Sequence, residues 1–173
     1  MSKLLNETLW QQWAPLPLRL VIGYGFMAHG WAKLSRGPAG FAKLLEQLGA
    51  PLPEVTAWAS TLIEVLGGLA ILAGAFVAAV SLPLIVTMFV AMVTVHLRYG
   101  FSAINTVGLT ADGPQFGPPG YEVNLLYIAG LLALILGGAG PFSIDRLMER
   151  RRRVQAARDQ RAARVGPVPR PNA

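Results

Sequence analysis

Four residues that can exchange protons lie within or beside otherwise apolar stretches of the chain, namely His29, Glu64, His96 and Glu122. Ionisable side chains are costly inside a membrane span, so their presence there marks a candidate functional site. An acid and an imidazole can exchange protons with the oxygens of a quinone ring. We therefore expect a catalytic proton-exchange pair made of Glu64 and His29.

Glu64 is the sharpest of these candidates, because apolar residues flank it on both sides in the stretch 61–69. A structural interpretation carries about equal weight for this residue: Glu64 ties its helix to His29, Lys33 or Arg98 as a packing device. His29 taken alone fits a hydrogen-bonded interior histidine, and His96 taken alone fits an interfacial residue.

Two kinds of ligand suit this set of side chains. Imidazole and carboxylate groups suit iron, zinc or copper, but no two of the residues have the i, i+4 spacing of an H-E-x-x-H site, so we expect no metal. A quinone needs only a histidine, an acid and an apolar slot. The side chains expected to line the mouth of this substrate site are His96, Arg98, Tyr121 and Glu122.

The composition predicts the elements that must position these residues. Hydrophobic residues make up 53% of the 173 residues and charged residues only 14%, whereas a soluble domain carries about 25% charged residues. The chain therefore lacks the polar surface of a globule in water. We expect an all-α integral membrane four-helix bundle, with four transmembrane helices and a short basic C-terminal helix or tail.

The four spans follow from the apolar stretches and their breakers. No charged residue occurs from Val65 to Val95, which is too long for one comfortable crossing, so we place a turn at Gly74-Ala75, with Ser81-Leu82-Pro83 as a competing site. The first stretch is long and lacks a cleavage site, so we expect a retained span. The expected segments are a first span at 17–33, second and third spans between 53 and 97, and a fourth span at 121–138.

The loops between these spans decide where the polar residues meet. The first loop covers 35–53 and is partly helical, and the second covers 98–120 and is rich in Gly and Pro. With four crossings both loops lie on one side of the membrane. The four proton-exchanging residues then share one half of the bilayer, and Arg19 is the lone charge in the other half.

The end of the chain is basic. From Arg146 onward it holds nine of the 15 Lys and Arg residues and two acids, Glu149 and Asp159, which gives 9 − 2 = +7. We therefore divide the chain into a membrane domain at 1–145 and an Arg-rich tail at 146–173, helical from Ile144 to Val165 and disordered over 166–173. The positive-inside rule places both termini in the cytoplasm, at the inner (plasma) membrane, with the tail facing anionic lipid.

Two further classes are excluded by composition. The basic run lacks interleaved aromatic residues, so we expect no nucleic-acid partner. The absence of cysteine excludes disulfides, thiolate metal sites and cysteine nucleophiles.

Trp10 and Trp13 just before the first span suit an interfacial belt.

With these motifs in order, the chain resembles the DoxX family of bacterial and archaeal membrane proteins, named after a subunit associated with a terminal quinol oxidase. The resemblance covers about residues 17–147. The motifs that carry it are Leu18-Arg19-Leu20 with Gly23, His29-Gly30-Trp31-Ala32-Lys33-Leu34, Phe41, Leu48-Gly49-Ala50-Pro51, Glu64-Val65-Leu66-Gly67-Gly68 with Gly74, 92–96, Gly100-Phe101, Gly120-Tyr121-Glu122 and Gly138-Ala139-Gly140-Pro141-Phe142-Ser143-Ile144-Asp145.

The resemblance implies a four-helix membrane fold and a link to quinones or redox stress. Many relatives have a basic turn between spans two and three, whereas residues 74–79 carry no charge here. We expect a redox-associated accessory subunit that binds a quinone and acts with redox-enzyme partner subunits or as a homo-oligomer. The alternative is a non-enzymatic scaffold or small-solute transporter in which the polar cluster is structural.

Overall fold

The computed structural model describes residues 11–165, and the expectations for Trp10 and for 166–173 lie outside them. Most of the described chain is helical. The elements, numbered here in chain order, are α1 (Pro15–Arg36), α2 (Pro38–Gln47), α3 (Pro53–Ala73), α4 (Val77–Ala91), β1 (Thr106–Thr110), β2 (Gly113–Phe116), α5 (Glu122–Gly137) and α6 (Ile144–Val165).

Helix α1 packs antiparallel along α3, and glycines let the two backbones approach closely. A Cβ atom at Gly68 would lie 2.5 Å from the backbone nitrogen of Met27, and one at Gly23 would lie 2.8 Å from the carbonyl oxygen of Gly68. Small residues at a helix interface allow this kind of contact in membrane proteins. The α1–α3 pair is the support on which the candidate site is built.

Helices α1, α3, α4 and α5 contact one another in a ring around an apolar core. The buried side chains come from all four helices and include Phe26, Ile71, Leu84 and Leu131, each 1% exposed or less. Helix α2 packs on α3 at the outside of this ring. The ring therefore leaves the first loop, with α2, at the same end as the second loop.

Two helical segments are long and apolar enough to cross a membrane, Pro53–Ala73 and Val77–Tyr99. The second consists of α4 extended by a π-helical turn at Met92–His96 and a 3₁₀ turn at Leu97–Tyr99. Helix α5 is equally apolar but shorter. Two crossings therefore satisfy the length and composition test, and the full set of four is taken up below as a proposal.

The turn between α3 and α4 lies where the preferred prediction placed it. Helix α3 ends at Ala73, and Gly74 adopts a φ of +65°, the left-handed conformation that glycine tolerates best. The competing site is wrong, because Pro83 lies inside α4. The Arg-rich helix also has the predicted bounds, Ile144–Val165.

The second loop differs from the all-α expectation. Strands β1 and β2 form an antiparallel hairpin within residues that we expected to be irregular. The local sequence favours it, because Thr106, Val107 and Thr110 are β-branched. Gly113 supports the turn with a φ of +121°. The abundance of Gly and Pro in this loop concealed the pairing.

Candidate functional site

A buried ion pair joins α1 to α3 in the half of the bundle where the polar residues were expected. The ammonium Nζ of Lys33 donates a hydrogen bond to Glu64 Oε1 over 2.7 Å. Glu64 is 2% exposed, while the Lys33 side chain keeps 25% of its surface accessible. Of the three partners considered for Glu64, the structure selects Lys33.

The second carboxylate oxygen of Glu64 accepts no hydrogen bond from the described residues. Among the described residues, Glu64 Oε2 is the one buried side-chain oxygen or nitrogen without a hydrogen-bond partner. Buried polar atoms nearly always have a partner, and one that lacks it calls for an explanation such as a ligand or a catalytic role. This atom is therefore the most distinctive chemical feature of the interior.

Close packing of the backbones sets the geometry of this pair. Gly30 lies one turn before Lys33, and a Cβ atom there would lie 2.8 Å from the backbone nitrogen of Val65. Because α1 approaches α3 this closely, the long side chain of Lys33 can run along α3 and reach Glu64. Helix α2 covers the pair from outside: Lys33 Nζ lies 4.4 Å from the centroid of the Phe41 ring.

A cleft of about 240 Å³ lies beside this region, between α2 and the first turns of α3. It is lined by Pro38, Ala39, Ala42, Glu54 and Trp58. Its walls are mostly apolar, with one carboxylate at the edge. Neither Lys33 nor Glu64 lines it, so it adjoins the ion pair without opening onto it.

His29 does not join Glu64 in this structure. Its side chain is exposed on the outer surface of α1, one turn before Lys33. Lys33 occupies the position beside the carboxylate that we assigned to the histidine. The residue types alone could not decide this, because both are basic residues on one helix and four positions apart.

The four residues expected at the mouth lie together, but they make contacts within the second loop. His96 Nδ1 lies 3.0 Å from the carbonyl oxygen of Pro119, and Glu122 Oε2 accepts a hydrogen bond of 2.8 Å from the backbone N–H of Ala103. The Tyr121 ring packs edge-on against Phe101 with 5.6 Å between centroids. The Arg98 guanidinium lies over the ring of the adjacent Tyr99.

At the opposite end of the bundle, Arg19 makes contacts that sequence reasoning missed. It is 2% exposed. Its five N–H groups donate to five backbone carbonyls, at 2.7 to 3.2 Å, and the acceptors are Ile71, Leu72, Ala139, Pro141 and Phe142. The last carbonyls of a helix have no intrahelical partner. Arg19 therefore satisfies the end of α3 and the segment after α5 at once.

Asp145 completes this polar end and was also missed. Its two carboxylate oxygens accept hydrogen bonds from the backbone N–H groups of Phe76 and Val77, at 2.7 and 2.9 Å. Its own N–H donates to the carbonyl of Gly74 over 3.0 Å. Asp145 thereby caps the first turn of α4. The signal available in the sequence was an acid four residues after Pro141, in the first turn of the Arg-rich helix.

Over the described range 11–165, no group of three or more His, Cys, Asp or Glu residues converges on a point that could hold a metal ion. The ionisable groups instead fall into three separate places: the Lys33–Glu64 pair, the base of the second loop, and the polar end around Arg19 and Asp145. Of these, only the first contains a buried polar atom without a partner.

Comparisons with known proteins agree with this architecture. The DoxX family model matches residues 14–97, the segment that carries α1 to α4 and the Lys33–Glu64 pair. An uncharacterized membrane protein of Mycobacterium tuberculosis is 27% identical over 146 residues, which cover 82% of this chain and 85% of that protein. No solved structure matches the chain significantly. Residues 14–97 are therefore similar to the DoxX family, and most of the chain is similar to a membrane protein.

Proposed function

We propose that this protein is a redox-associated accessory subunit that binds a quinone or a similar lipid-soluble carrier beside the Lys33–Glu64 pair. The observation that carries the proposal is Glu64 Oε2, a buried oxygen that has no hydrogen-bond partner within residues 11–165. A quinol hydroxyl is a donor of the kind that this oxygen lacks. The carboxylate can accept a proton from it, and Lys33 balances the charge of the carboxylate.

Access to the carboxylate is provided by Lys33. Its side chain reaches from the buried carboxylate to the surface, where a quarter of it is exposed. A carrier in the lipid would approach along α1, passing His29 one turn away, and contact the ammonium first. His29 in this proposal exchanges protons between the carrier and the interface. Electron transfer belongs to a partner redox enzyme.

The residues at the base of the second loop take a different role in this proposal. His96, Arg98, Tyr121 and Glu122 hold the loop at the end of α4 and the start of α5. These residues make no contact with the Lys33–Glu64 pair, so in this proposal they act only through the loop that they fix. Their contribution to carrier binding is therefore through loop position, in place of the direct contacts first expected.

A scaffold or small-solute transporter is the second candidate, and a specific observation favours it. Most buried polar groups serve the backbone, as Arg19 and Asp145 do at one end and Asn124 does within the core, where its Nδ2 lies 3.4 Å from the carbonyl of Met88. In that case the Lys33–Glu64 pair is one more structural contact. The two functions differ in what Glu64→Gln does to carrier binding.

The deciding experiment is a titration of purified protein in lipid nanodiscs with a short-chain ubiquinone and a short-chain menaquinone analogue. We expect wild-type protein to bind and Glu64→Gln to bind about tenfold more weakly, since loss of one charged hydrogen bond costs roughly 1.5 kcal/mol or more. The matched control is Glu46→Gln, which removes an exposed acid from α2.

Two results would contradict the proposal. Equal binding by wild type and Glu64→Gln would place the carrier elsewhere, and no binding by wild type would leave the scaffold or transporter. A melting curve of each variant without ligand separates a lost site from a lost fold. The expected pattern is that Glu64→Gln remains folded and loses affinity.

The membrane arrangement is part of the proposal. If α1, α3, α4 and α5 each cross the inner membrane, both loops lie on its outer side and both termini lie in the cytoplasm. The support is the basic helix α6, whose arginines favour the cytoplasmic side. Anionic lipid headgroups are its expected partner.

A further inference from the structure

The second loop is a continuous two-stranded ribbon that begins at the helix ends. At its base the backbone N–H groups of Gly120, Tyr121 and Glu122 donate to the carbonyls of Ser102, Gly100 and Phe101, at 2.9 to 3.1 Å. The pairing continues at Gly117, whose N–H donates to Asn105 over 2.7 Å. Strands β1 and β2 extend it to the tip at 110–113. The loop is therefore an ordered arm.

The arm has one mainly apolar face. The pairs are Thr106 with Phe116, Gly108 with Gln115, Leu109 with Pro114 and Thr110 with Gly113, so the register shifts at Val107, which lies beside Gly117. Because side chains alternate along a strand, Pro114 and Phe116 share a face, and their partners across the ribbon, Leu109 and Thr106, lie on it too. Thr110 and Gln115 occupy the other face with Gly108.

The apolar face is open in the structure. Leu109 is 84% exposed and Phe116 is 63% exposed. An isolated two-stranded hairpin is marginally stable in water and gains stability when its apolar face is covered. Within residues 11–165 nothing covers this face, so it is available for contact with a partner.

Lipid is the covering that the arm fits. Its segment from Tyr99 to Tyr121 has a single charge, Asp112 at the tip. Helix α5, from which the arm departs, has 16 residues and is about 24 Å long, short of the roughly 30 Å of a hydrocarbon core. Because α5 is no longer than the hydrocarbon core is thick, the crossing of α5 proposed above places the base of the arm at the membrane boundary, where apolar side chains continue the belt of the helices.

We propose that the ribbon lies flat on the lipid–water interface, with Leu109, Pro114 and Phe116 turned into the lipid and Gly108, Thr110 and Gln115 turned to water. Interfacial elements of this kind bind by their buried apolar area while their polar face remains wet. The paired backbone suits this position, since a ribbon leaves fewer free N–H and C=O groups than an open loop. This inference does not depend on the quinone proposal.

The test uses the absence of cysteine from the chain. Single variants Leu109→Cys and Thr110→Cys carry the same environment-sensitive fluorophore in purified protein within phosphatidylcholine vesicles. We expect nitroxide placed near the headgroup end of the lipid chains to quench position 109 several-fold more than position 110. Aqueous iodide should show the opposite order. Phe116→Cys and Gln115→Cys form a second matched pair.

Equal quenching within both pairs would overturn the proposal. So would protection of position 109 in native membranes but not in vesicles of purified protein, because that result assigns the face to a protein partner. All four positions are exposed in the structure, so the labelled variants should fold. A melting curve for each confirms that the comparison is between folded proteins.

Discussion

Two buried charged side chains differ in how completely they are bonded. Every N–H of the Arg19 guanidinium donates a hydrogen bond to a carbonyl oxygen. Glu64 accepts one hydrogen bond, from Lys33, and its other oxygen has no partner among the described residues. A fully bonded buried charge acts as a structural fixture. A half-bonded one can still accept a hydrogen bond, and in this protein that residue is Glu64.

At Arg19 we predict that Arg19→Lys destabilises the protein although it keeps the charge. An ammonium has three donors and no planar fork, so at least two of the five carbonyls lose their partner. At about 1.5–3 kcal/mol per charged hydrogen bond, offset by partial rearrangement, the loss is roughly 2–4 kcal/mol, or about 5–15 °C in melting temperature. Thermal unfolding in detergent measures it. Arg158→Lys, an exposed control on α6, should melt like wild type.

The Lys33–Glu64 pair should show energetic coupling in a double-mutant cycle of Lys33→Met and Glu64→Gln. Lys33→Met leaves the buried carboxylate without its cation, Glu64→Gln leaves the partly exposed ammonium without its anion, and the double variant removes both charges. We expect a coupling of roughly 1–2 kcal/mol, below the range for fully buried pairs because Lys33 is partly exposed. Additive single effects, measured by denaturant titration, would show that the pair contributes nothing to stability.

At the scale of elements, the stability of the fold depends on how the helix ends are capped and on how closely the helices pack. Asp145 caps α4 from a distance of 68 and 69 residues, and glycines set the spacing of α1 and α3. Both features link segments that are far apart in the sequence. Their loss should therefore weaken tertiary structure more than local helicity.

For the cap, we predict that Asp145→Ala lowers the free energy of unfolding by about 1–2 kcal/mol, the usual cost of losing an N-terminal cap. The two N–H groups of Phe76 and Val77 lose their acceptors, and only the backbone hydrogen bond from residue 145 to Gly74 still connects the start of α6 to the α3–α4 turn. Circular dichroism with thermal melting measures the change. Asp159→Ala removes an exposed acid from α6 and should leave the melting temperature unchanged.

For the α1–α3 contact, Gly68→Ala should destabilise the protein by roughly 2–3 kcal/mol, because the new methyl group meets the backbone of Met27 and pushes the helices apart. Gly40→Ala is the matched control, since a Cβ atom there has no neighbour within 4 Å. That variant should be neutral or gain up to about 1 kcal/mol. If the Gly68→Ala protein has the same melting temperature as wild type, the helices can move apart without loss of stability.

Apolar stretches, prolines and glycines were sufficient to predict most of the helices. The α3–α4 turn at Gly74 and the start of α6 at Ile144 were found because each has a local signal in the sequence. The hairpin was missed, since its register depends on a bulge and on backbone pairing at its base. Arg19 was noticed only as an isolated charge, because its acceptors are backbone carbonyls, which residue types do not reveal.

At the scale of the whole molecule, the ring of four helices separates two groups of polar residues that lie at its opposite ends. The ion pair and the ribbon lie toward one end, and Arg19, Asp145 and the basic helix lie at the other. This polarity follows from antiparallel packing of α1 on α3 and of α4 on α5. It predicts a definite orientation in the membrane.

We predict that cysteines placed at Asp112 and Gln155 label from opposite sides of the membrane. If α5 crosses the bilayer, the ribbon tip before it and the helix after it must be separated. With an impermeant maleimide, intact spheroplasts should label Asp112→Cys, and Gln155→Cys should react only after permeabilisation. Reaction of both in intact spheroplasts would mean that α5 does not cross.

The contacts of Arg19 also dictate an order of events during synthesis. Its acceptors at Ala139 and Phe142 lie 120 and 123 residues further along the chain. A ribosome therefore delivers the guanidinium to the membrane long before it delivers these oxygens. We expect α1 to be held only weakly until the segment after α5 has been synthesised. The tertiary structure is then completed at the end of synthesis.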